Sequence, residues 1–308
     1  MIVGQILLLV LGFVMLVKGA DWFVDGAAGI ASKFGIPQLV VGLTIVAMGT
    51  SAPEAAVSIT AALKGNAGIA VGNVVGSNIL NIFIILGLTG LITSVAVQKS
   101  TLFIEIPYML VVTGVLLVMG VMGNSINFVE GIVFWAMFIV YLAYLFVLAK
   151  KGTAEEEKKE ERPFWKLLLF ALIGGVVVVL GSNIAVEAAK KIAQLIGLSE
   201  KFIGLTIVAL GTSLPELVTS VTAAKKGNAD IAIGNVVGSN IFNILFVLGT
   251  SALIIPITFE SSFAIDTIIA IAAGVLLWVA TIGKKKLTRP WGIIMVVCYA
   301  AYFVYLLR

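Results

Sequence analysis

The sequence predicts an all-α integral membrane protein of ten transmembrane helices, built as two inverted five-helix repeats in which helices 2, 3, 7 and 8 are broken. Three observations carry this reading: the apolar content, a stretch that occurs once in each half, and prolines and glutamates set inside otherwise apolar spans. Of 308 residues, 60% are hydrophobic and 12% charged, whereas a soluble domain carries about 25% charge.

The first apolar run covers residues 2–17. It lacks the basic start and small-residue cleavage site of a secretory signal and is read as the first span. Two segments near 36–63 and 68–93 are interrupted by Gly, Pro, Ser, Thr and Asn, so broken helices are expected there. Continuous runs at 101–122 and 128–149 complete the first half, each close to the roughly 20 residues that a helix needs to cross hydrocarbon. The second half repeats the order, with a run at 164–181, interrupted segments near 198–224 and 230–257, and runs at 263–282 and 291–307. The expected units are therefore a first repeat (1–149), a charged linker (150–163, KKGTAEEEKKEERP) and a second repeat (164–308).

Residues 43–87 align without a gap to residues 205–249, with 32 of 45 positions identical. The matches include Pro, Glu, Asn and Thr, which shared hydrophobicity alone would not repeat. Five spans per half turn the second copy upside down in the membrane. On that count lysine and arginine divide 14 to 5 in favour of the face that holds the linker. The positive-inside rule then places the linker in the cytoplasm and both termini outside, in a multi-pass protein of the cell membrane.

The chain has no histidine and one cysteine, Cys298. An imidazole proton relay, a thiolate metal cluster and an intrachain disulfide are thereby excluded. The net charge of +4 reports topology in such a protein, and nucleic acid is not an expected partner.

The chemistry lies in GTSAPE (49–54) and its copy GTSLPE (211–216). Pro53 and Pro215 have no amide hydrogen, so the carbonyls of Gly49 and Gly211 lose their helical partners. In hydrocarbon something else must satisfy them, and a bound cation would. Helical spacing turns Ala47, Thr50, Ser51 and Glu54 toward one face, and likewise Ala209, Thr212, Ser213 and Glu216. Carboxylate, hydroxyl and carbonyl are hard oxygen ligands suited to Na+ or Ca2+. The second motif, GNVVGSN at 72–78 and 234–240, contributes two polar stripes, Asn73, Ser77 and Asn81, and Asn235, Ser239 and Asn243. Gly72, Gly76 and their copies would permit close helix approach. Small-residue stripes in membrane helices are more often packing than ligation, and hydroxyls often bond back to their own helix. The glutamates differ, because a mid-span carboxylate costs about 2.5–3.5 kcal/mol even on the lenient insertion scale. Asp25 and Glu187 match in the repeat; with Asp21 they are expected to be solvated or interfacial. Glu105, Glu130 and Asp266 are expected at span ends.

The paired motifs closely resemble the two alpha-repeats of the Na+/Ca2+ exchangers in the cation/Ca2+ antiporter superfamily, and the short linker is similar to that of bacterial and archaeal members. The resemblance implies a transporter and not an enzyme: an antiporter exchanging several Na+ for one Ca2+ by alternating access. It further implies that Glu54 and Glu216 are shared Ca2+ and Na+ ligands and that Thr50 and Thr212 give carbonyl oxygens. Ala47, Ser51 and Ser77 would form one flanking Na+ site, Ala209, Ser213 and Ser239 the other, and Asn81 and Asn243 would complete the centre. Two carboxylates balance one Ca2+ or two Na+, so a third Na+ makes transport electrogenic. Gly-Thr-Ser stands where H+/Ca2+ exchangers typically start with Gly-Asn, which favours sodium. Asn243 stands where K+-dependent exchangers carry an aspartate, which implies independence of K+. The long first and sixth spans, with Gly12, Gly19, Gly174, Gly175 and Gly181, are expected to slide past the site. The expected partners are Na+, Ca2+ and the lipid bilayer, with no cofactor and a monomer as the working unit. H+/Ca2+ antiport and a cation channel are the alternatives; an intramembrane hydrolase has no motif here.

Overall fold

The computed structural model describes residues 2–65, 68–151, 160–197 and 209–306. Its helices are α1 (Ile2–Phe34), α2 (Gln38–Thr50), α3 (Ala52–Leu63), α4 (Gly68–Ile92), α5 (Thr101–Gly123), α6 (Phe128–Lys150), α7 (Phe164–Leu195), α8 (Ala209–Thr212), α9 (Leu214–Lys225), α10 (Ala229–Ile254), α11 (Ser261–Ile282) and α12 (Arg289–Leu306). Among the described residues, eight helices are long and apolar enough to cross a membrane, and α2 with α3 makes a ninth candidate. The chain is thus a multi-pass membrane protein. Of the segment expected near 198–224, residues 198–208 lie outside the described residues.

Between α2 and α3 the axis bends by 51°. Ser51 sits at the bend with φ −82° and ψ 7°, and Pro53 falls in the first turn of α3. Proline is tolerated there because that turn has no use for its missing amide. Ser213 separates α8 from α9 in the same way, with Pro215 in the first turn. The breaks expected in the third and eighth spans are absent. Both α4 and α10 run through, widened into π-helical turns over Asn81–Leu86 and Asn243–Leu248. Neither contains a proline, and glycine costs a helix only about 1 kcal/mol, so a wide turn takes up the irregularity.

Burial separates core from periphery. The apolar window of α10 is 94% buried and that of α4 72%, against 17% for α1 and α12. A helix buried all round can be polar where it faces another helix, and α4 and α10 carry the Asn and Ser stripes. Around them α6 packs on α10, α12 on α4, and α5 on α11. The outer faces of α6 and α12 leave Ile139, Phe146, Val297 and Val304 exposed, as lipid-facing surfaces should be.

α1 and α7 contain 33 and 32 residues, about 50 Å at 1.5 Å per residue, longer than the hydrocarbon is thick. They lie against each other along a stripe of glycines. A Cβ on Gly12 would stand 2.7 Å from Ala185 N, one on Gly19 2.8 Å from Val178 N and one on Gly26 2.4 Å from Ala171 N. From the other side, a Cβ on Gly174 would stand 2.3 Å from Phe23 N. Seven-residue spacing keeps Gly12, Gly19 and Gly26 on one seam. Because lipid supplies no hydrophobic drive between helices, this backbone contact is what holds the pair.

Two short antiparallel ribbons, which the all-α expectation omits, join loops from opposite halves. β1 (Val95–Ala96) pairs with β4 (Lys286–Leu287), and β2 (Ser125–Ile126) pairs with β3 (Ile257–Thr258). Two-residue strands leave no periodicity to read. Of the carboxylates expected at span ends, Glu130 is one: it closes a capping box with Asn127, accepting the Asn127 amide at 3.0 Å. Asp266, on α11, accepts from Tyr302 at 3.1 Å. Glu105 departs from the expectation, since its side chain is fully buried between helices. At the linker, Arg162 donates to Glu160 at 2.9 and 2.7 Å, and these bonds hold the Glu160 carboxyl down at about 2.

The glycine seam sets a first expected outcome. Gly174→Ala should lower the stability of the purified protein by about 1–3 kcal/mol, the usual cost of overpacking. Gly114→Ala, where a Cβ meets nothing within 4 Å, should stay within about 0.5 kcal/mol. Thermal unfolding in detergent measures both, and equal losses would show that the seam is not a close contact.

Candidate cation site

Each broken helix changes neighbour at its break. α2 lies on α10, the motif helix of the other half: a Cβ on Gly234 would stand 3.0 Å from Leu39 O, and one on Gly238 2.7 Å from Leu43 O. The partners that the repeat would give Gly72 and Gly76, residues 201 and 205, lie outside the described residues. α3 instead lies on α4 of its own half, where Asn73 Nδ2 donates to Ser58 Oγ at 2.9 Å and to Glu54 O at 3.3 Å. The copy is faithful: Asn235 Nδ2 donates to Ser220 Oγ at 2.9 Å and to Glu216 O at 3.3 Å. Asn73 and Asn235 are thus braces that fix the backbone of each glutamate.

The change of neighbour sends each break serine into the opposite half. Ser51 Oγ lies 2.7 Å from Glu216 Oε1 and 2.8 Å from Ser239 Oγ, and Ser239 Oγ donates to Ala47 O at 3.4 Å. Ser213 Oγ lies 3.1 Å from Glu54 Oε1 and 3.4 Å from Ser77 Oγ. The flanking groups are therefore Ala47, Ser51, Ser239 and Glu216 on one side, and Ser77, Ser213 and Glu54 on the other. This corrects the expected grouping, which kept Ser77 with Ser51 and Ser239 with Ser213. Spacing within one repeat cannot reveal that the halves interlock. The Ala209 side chain lies outside the described residues. Thr50 Oγ1 bonds back to Val46 O at 3.1 Å and to Asn235 Oδ1 at 3.0 Å, whereas Thr212 Oγ1 is buried beside the Glu54 carboxyl.

Four asparagines meet at the centre. Asn81 Nδ2 donates to Asn240 Oδ1 at 2.9 Å and Asn243 Nδ2 to Asn78 Oδ1 at 3.2 Å. Asn78 and Asn240 in turn donate to each other's backbone carbonyls at 3.1 and 3.3 Å. The sequence reading passed over Asn78 and Asn240 because they fall off the four-residue stripe; their identity in both copies of GNVVGSN was the available signal. With the amide nitrogens so occupied, Glu54 Oε2, Glu216 Oε2, Asn81 Oδ1 and Asn243 Oδ1 are left buried with no hydrogen-bond partner. All four residues are 1% exposed. An unsatisfied buried acceptor costs about 1–3 kcal/mol, and more when charged. Four such oxygens with two negative charges suit a hard cation, as the donor chemistry of Ca2+ and Na+ requires.

The whole architecture has known counterparts. Residues 4–147 and 166–308 match the sodium/calcium exchanger protein family. The putative antiporter CaxA of Alkalimonas amylolytica is 38% identical, with 98% of both chains covered. The sodium/calcium exchanger MaX1 of Methanosarcina acetivorans is 34% identical over 99% of both. The solved structure of the sodium-calcium exchanger NCX_Mj, soaked with 10 mM Na+ and no Ca2+, superposes with a TM-score of 0.86 at 32% identity over 99% of both chains.

One carbonyl freed by proline is already satisfied. Ser182 Oγ, on α7, donates to Gly211 O at 2.9 Å, so no ion is needed there. The repeat places Ala20 at the matching position of α1, and Gly49 gains no equivalent hydroxyl. Ser182→Ala should strand the Gly211 carbonyl and cost about 1–3 kcal/mol of stability. Thermal unfolding reads the loss, and an unchanged midpoint would show that the bond carries no weight.

Proposed function

The chain belongs to the sodium/calcium exchanger family, and on that premise we propose that it exchanges several Na+ for one Ca2+ at the Glu54–Glu216 cluster by alternating access. What supports this most is the division of each carboxylate between two neighbourhoods. Oε1 of each glutamate faces a flanking serine pair, and Oε2 of each is one of the four unpartnered central oxygens. A central Ca2+ and flanking Na+ ions would draw on the same two charges, so occupancy by one ion opposes occupancy by the other. That opposition is the coupling. The twelve residues Ala47, Thr50, Ser51, Glu54, Ser77, Asn81, Ala209, Thr212, Ser213, Glu216, Ser239 and Asn243 are the proposed ligand set. A third Na+ among the hydroxyls would leave the carrier positively charged and transport electrogenic. Amides at Asn81 and Asn243 add no charge, so a K+ beside Ca2+ would be unbalanced and K+ is not required.

The ribbons support ten spans with inverted halves. They require the loops before α5 and α12 to share one face, and those before α6 and α11 to share the other. An inverted ten-span count does this, with the linker in the cytoplasm and the termini outside. Alternating access is supported by an asymmetry between repeat-related contacts. Lys226, just after α9, lies 2.8 Å from Asp25 and 3.3 Å from Asp21 of α1. The matching residues, Lys64 after α3 and Glu187 on α7, are both exposed, and among the described residues no ion pair joins them. The same clasp is closed on the linker side and open on the opposite side.

Proteoliposomes test the function. An imposed Na+ gradient should drive Ca2+ uptake without K+, and a pH gradient should not. Glu54→Gln or Glu216→Gln should cut that flux at least about 100-fold, the equivalent of about 2.8 kcal/mol, in a protein that still folds. Normal flux in either variant, or uptake driven by pH alone, would remove this reading, and current in symmetric solution would favour a channel. The clasp gives a separate expectation. Cysteines at Asp25 and Lys226 should cross-link in the resting protein and block exchange. Cysteines at Lys64 and Glu187 should cross-link only while Na+ and Ca2+ drive turnover. Equal cross-linking of both pairs in every ionic condition would count against alternation.

A further inference from the structure

Outside the central cluster one carboxylate is wholly sequestered. Glu105 lies a turn inside α5 on the face of the β1–β4 ribbon, and its side chain is 0% exposed. Tyr144 of α6 donates to its Oε1. Glu105 Oε2, Thr101 Oγ1 and Tyr141 OH are all buried without a well-formed hydrogen bond, and Thr101 stands close enough to the carboxyl to act on it. Thr101 and Glu105 share a helix face at i, i+4, and Tyr141 and Tyr144 share one at i, i+3. The remaining neighbours do not compete for this carboxyl. Tyr108, stacked on Tyr141, gives its hydroxyl to Met137 O at 2.8 Å, and Trp278 of α11 donates to Leu102 O at 2.8 Å. Among the described residues no lysine or arginine pairs with Glu105; the ion pairs formed are those of Arg162 and Lys226. The segment Thr101–Glu105 is itself a π-helical turn, a local widening often found at functional positions.

A carboxylate sequestered among helices without a positive partner is expensive, and the surrounding groups offer only oxygen. We infer that Glu105, with Thr101, Tyr141 and Tyr144, is a second binding site for a single positive charge, a Na+ ion or a proton, separate from the Glu54–Glu216 cluster. The charge is one because one carboxylate stands there; a divalent ion would leave an uncompensated charge in the membrane. Asp266 and Tyr302 make a similar carboxyl–tyrosine bond between the fourth and fifth helices of the other half. Asp266 is only partly buried, so it is not sequestered as Glu105 is, and no bound charge is assigned to it. The site shares no residue with the proposed exchange site and stands or falls apart from it.

Infrared difference spectroscopy on the purified full chain, held in saturating Ca2+ so that the central glutamates do not change, tests the inference. The Glu105 signal is isolated by subtracting the spectrum of Glu105→Gln. If the ligand is a proton, the signal is a carboxylic-acid carbonyl stretch that shifts in heavy water and ignores Na+. If the ligand is Na+, it is a carboxylate stretch that shifts when Na+ is replaced by N-methylglucamine. Tyr144→Phe, which keeps the acid and removes one donor, should displace whichever band is present and guards against a misfolded Glu105→Gln. A carboxylate stretch that is the same with and without Na+ would overturn the site.

Discussion

Two hydrogen bonds that cross between the halves, Ser51 to Glu216 and Ser213 to Glu54, are the contacts on which the rest of the arrangement depends. An anionic oxygen inside a bundle must be met by a donor or a cation, and here each half lends the other a hydroxyl. Everything that brings the serines across follows from that need. Proline restarts the helix just after each serine, so the chain leaves one neighbour and joins another at that point. Glycines on α10 let α2 approach to backbone contact. Asn73 and Asn235 pin the returning helices by their carbonyls. The remaining carboxylate oxygens are then left buried without a hydrogen-bond partner.

Much of this was legible beforehand, because membrane spans and duplicated motifs are properties of residue types. Glu54 and Glu216 identify themselves by the cost of placing them in an apolar span, and Pro53 and Pro215 mark the breaks. The face shared by Ala47, Thr50, Ser51 and Glu54 is a matter of helical spacing. The partners across the interface were not legible: nothing within one repeat says that Ser77 meets Ser213 and not Ser51. Nor could spacing separate a ligand from a brace, since Asn73 and Asn81 lie on the same stripe and do different work. Glu105 misleads for a related reason. Its position near a helix start suggests solvent, and only the packing of α6 and α11 around α5 encloses it.

Duplication gave the two halves one plan, and their differences show where the plan has been released. The central asparagines, serines and glutamates match position for position. The outer pair does not: Ser182 matches Ala20 in the repeat, so one freed carbonyl meets a serine hydroxyl where the other half has an alanine. Unequal support on the two sides is compatible with a protein whose two faces meet different solutions. α1 and α7 also contact each other through glycine and backbone, with Leu16, Ala20, Val178 and Ala185 buried between them.

The ribbons carry a consequence for how the chain is assembled. β1 is complete at residue 96 but pairs with residues 286 and 287, and β2 waits in the same way for residues 257 and 258. Glu54 likewise meets its serine only when residue 213 has entered the bilayer. The helices of the first half therefore leave the ribosome with loop edges unpaired and a carboxylate uncompensated, and contacts this distant in sequence are slow to form. Insertion of the first half is necessarily provisional, and the bundle becomes a committed structure only when its second half has threaded between the elements of the first.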